Sequence, residues 1–488
     1  MCNMKTIYAQ ELADAVGGTL LSGNGDVAVT SVSTNSKEIE KGALFVPIIG
    51  ERVDAHRFID MALEAGAAAI FTARECERYV PGKAYIKVED TLVALQKAAA
   101  WYREQFHVKL IGITGSVGKT TTKEMIAAAV ETKYKTLKTK GNMNSQVGLP
   151  LMMFHLDDSI EVAVIEMGMS EVGEMSRLAA IAKPDIVVMT NIGVSHIGQL
   201  GSKENIRKEK MNIIDEFTGG NYVFVNGDDP LLHQMKQYVE DAKKGFLPSE
   251  SLFDRATIEK LSLATVQEFG SSENCEYHAG QNLTIGDSQR FCFTAKGASE
   301  QVELGVLGAH NVNNATVALA IAMNLGIDPA DAKKGLAAYR PISMRGQTYQ
   351  CNGIKIIDDT YNASPDSMKS GVSVLLETAG VQRRIAVFAD VLELGEVSRE
   401  CHYDVGTYIA KTHNHGIKVD MVLTVGTEAK AICEGVTDSH TTIETKAFEN
   451  NQQVIDFLKE HVKAGDGILV KGSRGMHMEE VVAALKDE

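Results

Sequence analysis

The sequence predicts an α/β protein of three domains: a smaller N-terminal α/β domain, a central parallel sheet built around a glycine-rich loop, and a C-terminal Rossmann-like doubly wound sheet. Three observations carry this. At 488 residues the chain is about three times the ~150 residues typical of one domain. From residue 107 onward, short apolar runs alternate with helical stretches, the rhythm of parallel strands covered on both faces. A second βαβ rhythm starts after ALAAYRP. The expected domains are residues 1–106, 107–340 and 341–488.

In the first domain, VAVTSVSTNSKEI and GALFVPI are predicted as strands flanking a turn. RFIDMALEAGAAAIFTA reads as a helix and then a buried strand, and TLVALQKAAAWYREQF as the helix that closes the domain. The strand HVKLIGITG opens the second domain, with the boundary near His107. After it come the helix KEMIAAAVET, the buried strand EVAVIEMG, the helix MSRLAAIA and the strand PDIVVMTNIG. Between residues 240 and 300 polar segments such as FGSSENCEYHAGQNLTIGDSQRF point to an antiparallel insertion, followed by the apolar helix HNVNNATVALAIAMNLG. In the third domain the strands IKIIDD, RRIAVFAD, MVLTVG and GILVKGS interleave with helices. There is no internal repeat or low-complexity tract.

Composition narrows the class. With 44% hydrophobic and 23% charged residues, the chain is a globular protein and not a disordered, collagen-like or disulfide-scaffold one. Its 49 Lys and Arg against 64 Asp and Glu leave a net charge of −15. That argues against general nucleic-acid binding, which demands a basic face, but one local loop can still hold a phosphorylated small molecule. Seven scattered cysteines (Cys2, Cys76, Cys275, Cys292, Cys351, Cys401, Cys433) without a C-x-x-C pair read as reduced thiols in a cytoplasmic protein. The start MCNMKTIYAQELADAVGG has no apolar h-region, and no apolar stretch is long enough for a membrane span.

The strongest local signal is Gly112-Ile-Thr-Gly115-Ser116-Val117-Gly118-Lys119-Thr120-Thr121-Thr122. It departs slightly from G-x-x-x-x-G-K-[ST], its spacing being read from Gly112 or Ile113 to Gly118, but an apolar strand precedes it and a helix follows. Small residues let backbone N–H groups wrap phosphates, the helix N-terminus adds positive potential, and Lys119 reaches the terminal phosphates. Thr120 would offer its hydroxyl to Mg²⁺. No guanine-reading N-K-x-D occurs in the chain. The next strand ends in Glu166, a position suited to holding a metal and equally to a solvated strand-end acid. The strand after it runs into Thr190-Asn191-Ile-Gly193-Val-Ser195-His196, where His196 is either a second metal ligand or a structural histidine. Lys210, in the basic helix Lys203–Met211, reads locally as one more surface lysine.

These motifs resemble those of the Mur ligases. GITGSVGKTTTKE, KTKGNMNSQVGLP, VIEMGMSEVGEM, PDIVVMTNIGVSHIG, HNVNNATVALAIA, DDTYNASPDSM, FADVLELGE and VKGSRGMHMEE stand in that family's order, and STNSKEIEKGALFVPIIGERVDAHRF extends the match into the first domain. Within the family, the DDTYNASP and KGSR elements favour the member that joins D-alanyl-D-alanine to UDP-N-acetylmuramoyl-tripeptide. A simpler amide ligase such as folylpolyglutamate synthase would have no reason for ~100 residues ahead of the phosphate loop.

The resemblance implies ATP-dependent amide formation through an acyl phosphate, in the cytoplasm, by a monomer with small-molecule partners, no nucleic acid and no membrane span. By resemblance, Gly115, Ser116, Val117, Gly118, Lys119, Thr120 and Thr121 cradle ATP, and Thr120 and Glu166 hold one Mg²⁺. His196 resembles the ligand of a second Mg²⁺, and Lys210 falls where the family often carries a carbamoylated lysine. Asn311 resembles the adenine-reading asparagine, with helix N-capping as its other role. Arg345 is expected at the γ-phosphate and Asp359 at the ribose. Asn362, Asp366, Lys471 and Arg474 are candidates for the D-alanyl-D-alanine pocket, where a cation would pair with the dipeptide carboxylate. Ser33, Thr34, Asn35 and Ser36 match the family's uridine-nucleotide segment, except that Asn35 replaces the usual Asp and Lys37 the usual Arg. Asn142 and Asn144 belong to a loop expected along the muramoyl-peptide channel, with Ser145 where a second consecutive Asn is common.

Overall fold

A computed structural model describes residues 4–244 and 255–486. Near the N-terminus, five short strands form one sheet in the order Thr19–Ser22, Ala84–Lys87, Ala69–Thr72, Ala43–Phe45, Ser31–Ser33. All neighbours are parallel except the first pair. The strand expected to run through STNSKEI stops at Ser33 instead. Asn35 N–H donates to Ser33 Oγ at 3.0 Å and Lys37 N–H to Asn35 Oδ1 at 3.1 Å, and such side-chain-to-backbone bonds favour a turn over a ladder.

The helix Thr91–Arg103 is shared between the first sheet and the second. Asp90 caps it, accepting from the Leu92 and Val93 amides at 2.7 and 3.0 Å. At its far end the Tyr102 hydroxyl donates to Leu156 O at 2.9 Å and accepts the Lys5 amide at 2.9 Å. Arg103 Nε donates to Ala182 O at 2.9 Å, at the carbonyl end of the helix Glu174–Ala182, where a cation is favoured. One continuous apolar core therefore runs beneath both sheets, from Leu12 and Leu95 to Met152 and Leu178.

Among the described residues the second sheet has nine strands. Thr136–Lys138, Val162–Glu166, Lys109–Thr114, Ile186–Met189, Tyr222–Asn226 and Thr265–Gly270 lie parallel in that spatial order. The polar stretch read as an antiparallel insertion is the continuation of this same sheet. Tyr277–Ile285 adds in parallel, and Ser288–Ala295 and Ala298–Leu304 follow as an antiparallel meander. Its polar appearance comes from period-two alternation: Phe291, Phe293 and Ala295 are buried while Arg290 and Thr294 face water. The helix Ala309–Asn324 covers that face.

The third sheet has the order Gln347–Cys351, Ile354–Asp358, Asp466–Lys471, Arg383–Ala389, Met421–Val425, Glu444–Phe448, parallel apart from the first hairpin. Separate apolar cores on its two faces, one around Phe388 and one around Leu423, make it doubly wound. Among the described residues no helix is long and apolar enough to cross a membrane. The six described cysteines are unpaired, and Cys2 lies outside the described residues.

Candidate active site

Lys109–Thr114 is the first strand of its sheet in sequence. Later strands are laid down on both of its sides, so the loops after it, after Val162–Glu166 and after Ile186–Met189 converge at a switch point. The chain turns at Gly115 (φ +149°) and Gly118 (φ +86°) into the helix Lys119–Val130. A Cβ on Gly115 would stand 1.9 Å from Thr190 Oγ1. Gly115→Ala is therefore expected to cost about 1–3 kcal/mol of stability, checked as a lowered thermal midpoint with weakened nucleotide binding. Asn191 Oδ1 accepts the amides of Ser116 and Val117 at 3.0 and 2.8 Å. These bonds brace the loop, while the amides of the helix's first turn have no intrahelical acceptor and suit an anion.

Glu166 is 2% exposed. Its two oxygens accept from Thr120 Oγ1 at 2.9 Å and Asn144 Nδ2 at 2.7 Å, and its amide donates to Thr139 Oγ1 at 2.9 Å. Its setting is a buried, oriented network, not that of a solvated strand-end acid. No group of three or more His, Cys, Asp or Glu among the described residues forms a metal cage. One hydroxyl and one carboxylate fit Mg²⁺, a hard cation that takes its remaining oxygens from phosphates and water. Asn144, in the loop expected along the peptide channel, donates to Glu166 and lines the same cavity.

Two lysines share one acceptor. Lys119 Nζ donates to Gly115 O at 2.8 Å and Lys210 Nζ to the same oxygen at 3.2 Å. Lys210 is 1% exposed, so its helix is not a solvated basic surface. Ser202 caps that helix through the Asn205 amide at 3.2 Å, and its inward face carries Ile206, Arg207, Lys210 and Met211. Burial and then the charge of Lys119 lower Lys210 well below the usual lysine range, against the pull of Glu209. Burial, Lys210 and Lys119 push His196 down to about 4, leaving a neutral imidazole with a lone pair. Glu393, in the turn that follows the strand Arg383–Ala389, approaches His196 Nδ1 at 3.2 Å.

The phosphate loop, Glu166 and His196 line a cavity of about 800 Å³ together with residues of the third sheet. Asn311, Arg345, Asp359 and Lys471 are on its wall. Asn311 is not the cap of its helix, because the chain enters through Gly308; its Nδ2 donates to Leu307 O at 2.7 Å. Thr122 Oγ1 donates to Asn314 Oδ1 at 2.9 Å and so ties the phosphate-loop helix to this one. The Arg345 guanidinium lies 3.8 Å from the Tyr361 ring centre. Lys471, expected to be free for a carboxylate, is 3% exposed and donates to Asp359 Oδ2 at 2.6 Å and Asn362 O at 2.9 Å. Asn362 also lines the cavity.

Other candidates stand elsewhere. Ser33, Thr34, Asn35 and Ser36 form the turn at the edge of the first sheet and do not line this cavity. Asp366 accepts the Val194 amide at 3.3 Å across the seam between the second and third sheets. Arg474 is paired with Glu479 at 3.1 Å outside the cavity. A second polar seam joins the second and third sheets: Lys355 Nζ donates to Asp287 Oδ2 at 2.5 Å, and Glu377 accepts Gln289 Nε2 at 3.0 Å. Sequence reading missed Asn191, Tyr361, Asp287 and Glu393. Asn191, Tyr361 and Glu393 fall inside quoted motifs, but their partners are far away in the chain.

Comparison with known proteins agrees with this architecture. Residues 28–103 match the model "Mur ligase family, catalytic domain", 113–322 the "Mur ligase middle domain", and 344–474 the "Mur ligase, glutamate ligase domain". The UDP-N-acetylmuramoyl-tripeptide–D-alanyl-D-alanine ligase of Bacillus subtilis is 35% identical over 98% of this chain and 97% of its own length. A crystal structure of MurF from Acinetobacter baumannii is 30% identical, with a TM-score of 0.87 over 99% of this chain and 100% of that one. The Thermotoga maritima MurF ligase in complex with ADP is 29% identical, with a TM-score of 0.77 over 94% of this chain and 97% of that one. The chain belongs to the Mur ligase family.

Proposed function

We propose that this protein is the ATP-dependent ligase that joins D-alanyl-D-alanine to UDP-N-acetylmuramoyl-tripeptide. The observation that carries the reading is the single cavity on which Lys119, Thr120 and Glu166 face Arg345 and Asp359 across two independently built sheets. The full-length relatives named for this reaction support it.

The tripeptide's terminal carboxylate attacks the γ-phosphorus of ATP, giving an acyl phosphate and ADP. The dipeptide amine then adds to the activated carbonyl, and the tetrahedral intermediate expels phosphate. A carboxylate is a poor acyl donor and two anions must meet, so cations have to surround the transferring phosphoryl group. Lys119 supplies one from the loop and Arg345 another from the third domain. Thr120 and Glu166 would hold Mg²⁺, which when bound neutralises phosphate charge. His196 would hold a second Mg²⁺, and an unmodified Lys210 ammonium beside it would repel that ion. A carbamate on Lys210 reverses that sign. Asn311 reads adenine, and Asp359, held by Lys471, takes the ribose. Residues 1–106 hold the uridine nucleotide through Ser33, Thr34, Asn35 and Ser36. Residues 107–340 bind ATP, with Asn142 and Asn144 beside the peptide. Residues 341–488 close over ATP and bind the dipeptide near Asn362, Asp366 and Arg474. The enzyme works as a cytoplasmic monomer.

The test is phosphate release from ATP with the UDP-muramoyl-tripeptide present and D-alanyl-D-alanine added or withheld. Full turnover that needs both substrates supports the reading, and turnover indifferent to the dipeptide overturns it. Glu166→Gln is expected to raise the Mg²⁺ concentration needed for half-maximal rate. An unchanged Mg²⁺ titration would remove Glu166 from the metal site.

A further inference from the structure

We propose that Tyr361 is the positioning residue for Arg345: its ring holds the guanidinium flat in the cavity wall and leaves the whole N–H fork for the terminal phosphate of the nucleotide. This rests on the reading of Arg345 as the residue that meets the γ-phosphate.

The cations around the cavity are not equivalent. Lys119 and Lys210 donate to Gly115 O, Lys471 to Asp359, and Arg340 to Ala337 O and Tyr339 O. The Arg345 side chain, half-buried on the same wall, has no hydrogen bond or ion pair among the described residues; its contact is the face of Tyr361, 3.8 Å from guanidinium carbon to ring centre. That choice of partner has a chemical consequence. An acidic partner would cancel the charge and occupy the fork. An aromatic face attracts the cation through the ring quadrupole, while the donors lie in the guanidinium plane and stay available. Stacking also restrains a side chain that otherwise explores many rotamers, so less order has to be imposed when phosphate arrives.

The backbone is built around this contact. Met344, a non-glycine residue, sits at φ +64°, in the left-handed region. Its carbonyl accepts the Tyr361 amide at 3.1 Å, and the Arg345 amide donates to Ile342 O at 3.2 Å. The unusual turn at Met344 therefore brings the segment that enters the third sheet alongside the loop that follows Ile354–Asp358. That second loop also carries Asp359, so the arginine and the ribose candidate are set by one piece of chain.

A double-mutant cycle tests the idea. Tyr361→Leu keeps apolar bulk and removes the π face, whereas Tyr361→Phe keeps the face. Tyr361→Leu is expected to lower kcat about 3- to 30-fold with the KM for D-alanyl-D-alanine unchanged, and Tyr361→Phe to stay within about twofold. In calorimetry, the preference for a β,γ-methylene ATP analogue over ADP should shrink in the Leu variant and persist in the Phe variant. In an Arg345→Ala background, adding Tyr361→Leu should change kcat by less than about twofold, because the ring then has nothing to hold. If Arg345→Ala alone keeps full activity and full analogue preference, the reading of Arg345 itself fails. If Arg345→Ala is impaired but Tyr361→Leu is silent, or if the two losses simply multiply, the positioning role is overturned while the reading of Arg345 stands.

Discussion

Lys119→Ala is expected to remove nearly all ligation and to leave the fold standing. The loop owes its shape to the turns at Gly115 and Gly118 and to the Asn191 side chain that gathers the Ser116 and Val117 amides. The Lys119 ammonium contributes one bond to the Gly115 carbonyl, which Lys210 also contacts. Removing it therefore spares the backbone. The γ-phosphate, in contrast, loses a fixed positive charge in a half-closed cleft where charge develops during transfer. Loss of one such preorganised group typically costs about 10²- to 10³-fold in kcat. Steady-state kinetics beside circular dichroism and a thermal melt check both halves. A variant of normal stability that keeps more than roughly a tenth of wild-type kcat, a loss under ~1.4 kcal/mol, would mean the phosphate loop has been assigned wrongly.

Lys210→Ala is expected to be nearly inactive, to recover in part when a short carboxylic acid is supplied, and not to be replaceable by arginine. Lys210 is buried and its ammonium competes with that of Lys119 for one carbonyl oxygen. Burial and the neighbouring charge both favour the uncharged amine, which is the form that adds CO₂ reversibly to give a carbamate. An anion at this point relieves the crowding of like charges and suits a second cation near His196. Alanine leaves a space that formate or acetate can enter. Arginine keeps the positive charge, cannot carry a carbamate, and has to fit a larger fork into a closed site. An ordinary cationic role predicts the opposite order, with arginine the better replacement and acids without effect. Activity of both variants, measured with and without added acetate, separates the two. A near-normal arginine variant would sink the carbamate.

What can be read along the chain is what is encoded over a few residues. The strand, turn and helix from Lys109 to Val130 declare themselves because apolar period, small residues and a following helix lie side by side. Glu166 and His196 are visible as polar residues at the ends of apolar strands. The four main strands of the third sheet stand out for the same reason. Less legible are edge elements such as Gln347–Cys351 and the meander around Phe291, where one face meets water and the apolar run is broken by alternation. The segment after Ser33 misleads in the other direction: the apolar alternation of VAVTSVS suggests a strand that runs on, yet the Ser33 and Asn35 side chains take the backbone bonds into a turn.

The sequence by itself determined the three-domain α/β plan, the phosphate loop and the family, since each is written in short patterns held in a fixed order. Only the tertiary structure decided what each side chain is spent on. It sets Lys210 against the carbonyl that Lys119 uses, brings Glu393 to His196, engages Lys471 with Asp359 and stacks Arg345 on Tyr361. None of these pairs is local, and each depends on which sheet edges and helix faces the packing makes neighbours. A lysine in a basic helix is the same letters whether its side chain meets water or a buried carbonyl. Burial and partner, which fix its charge and hence its chemistry, exist only once the chain has folded.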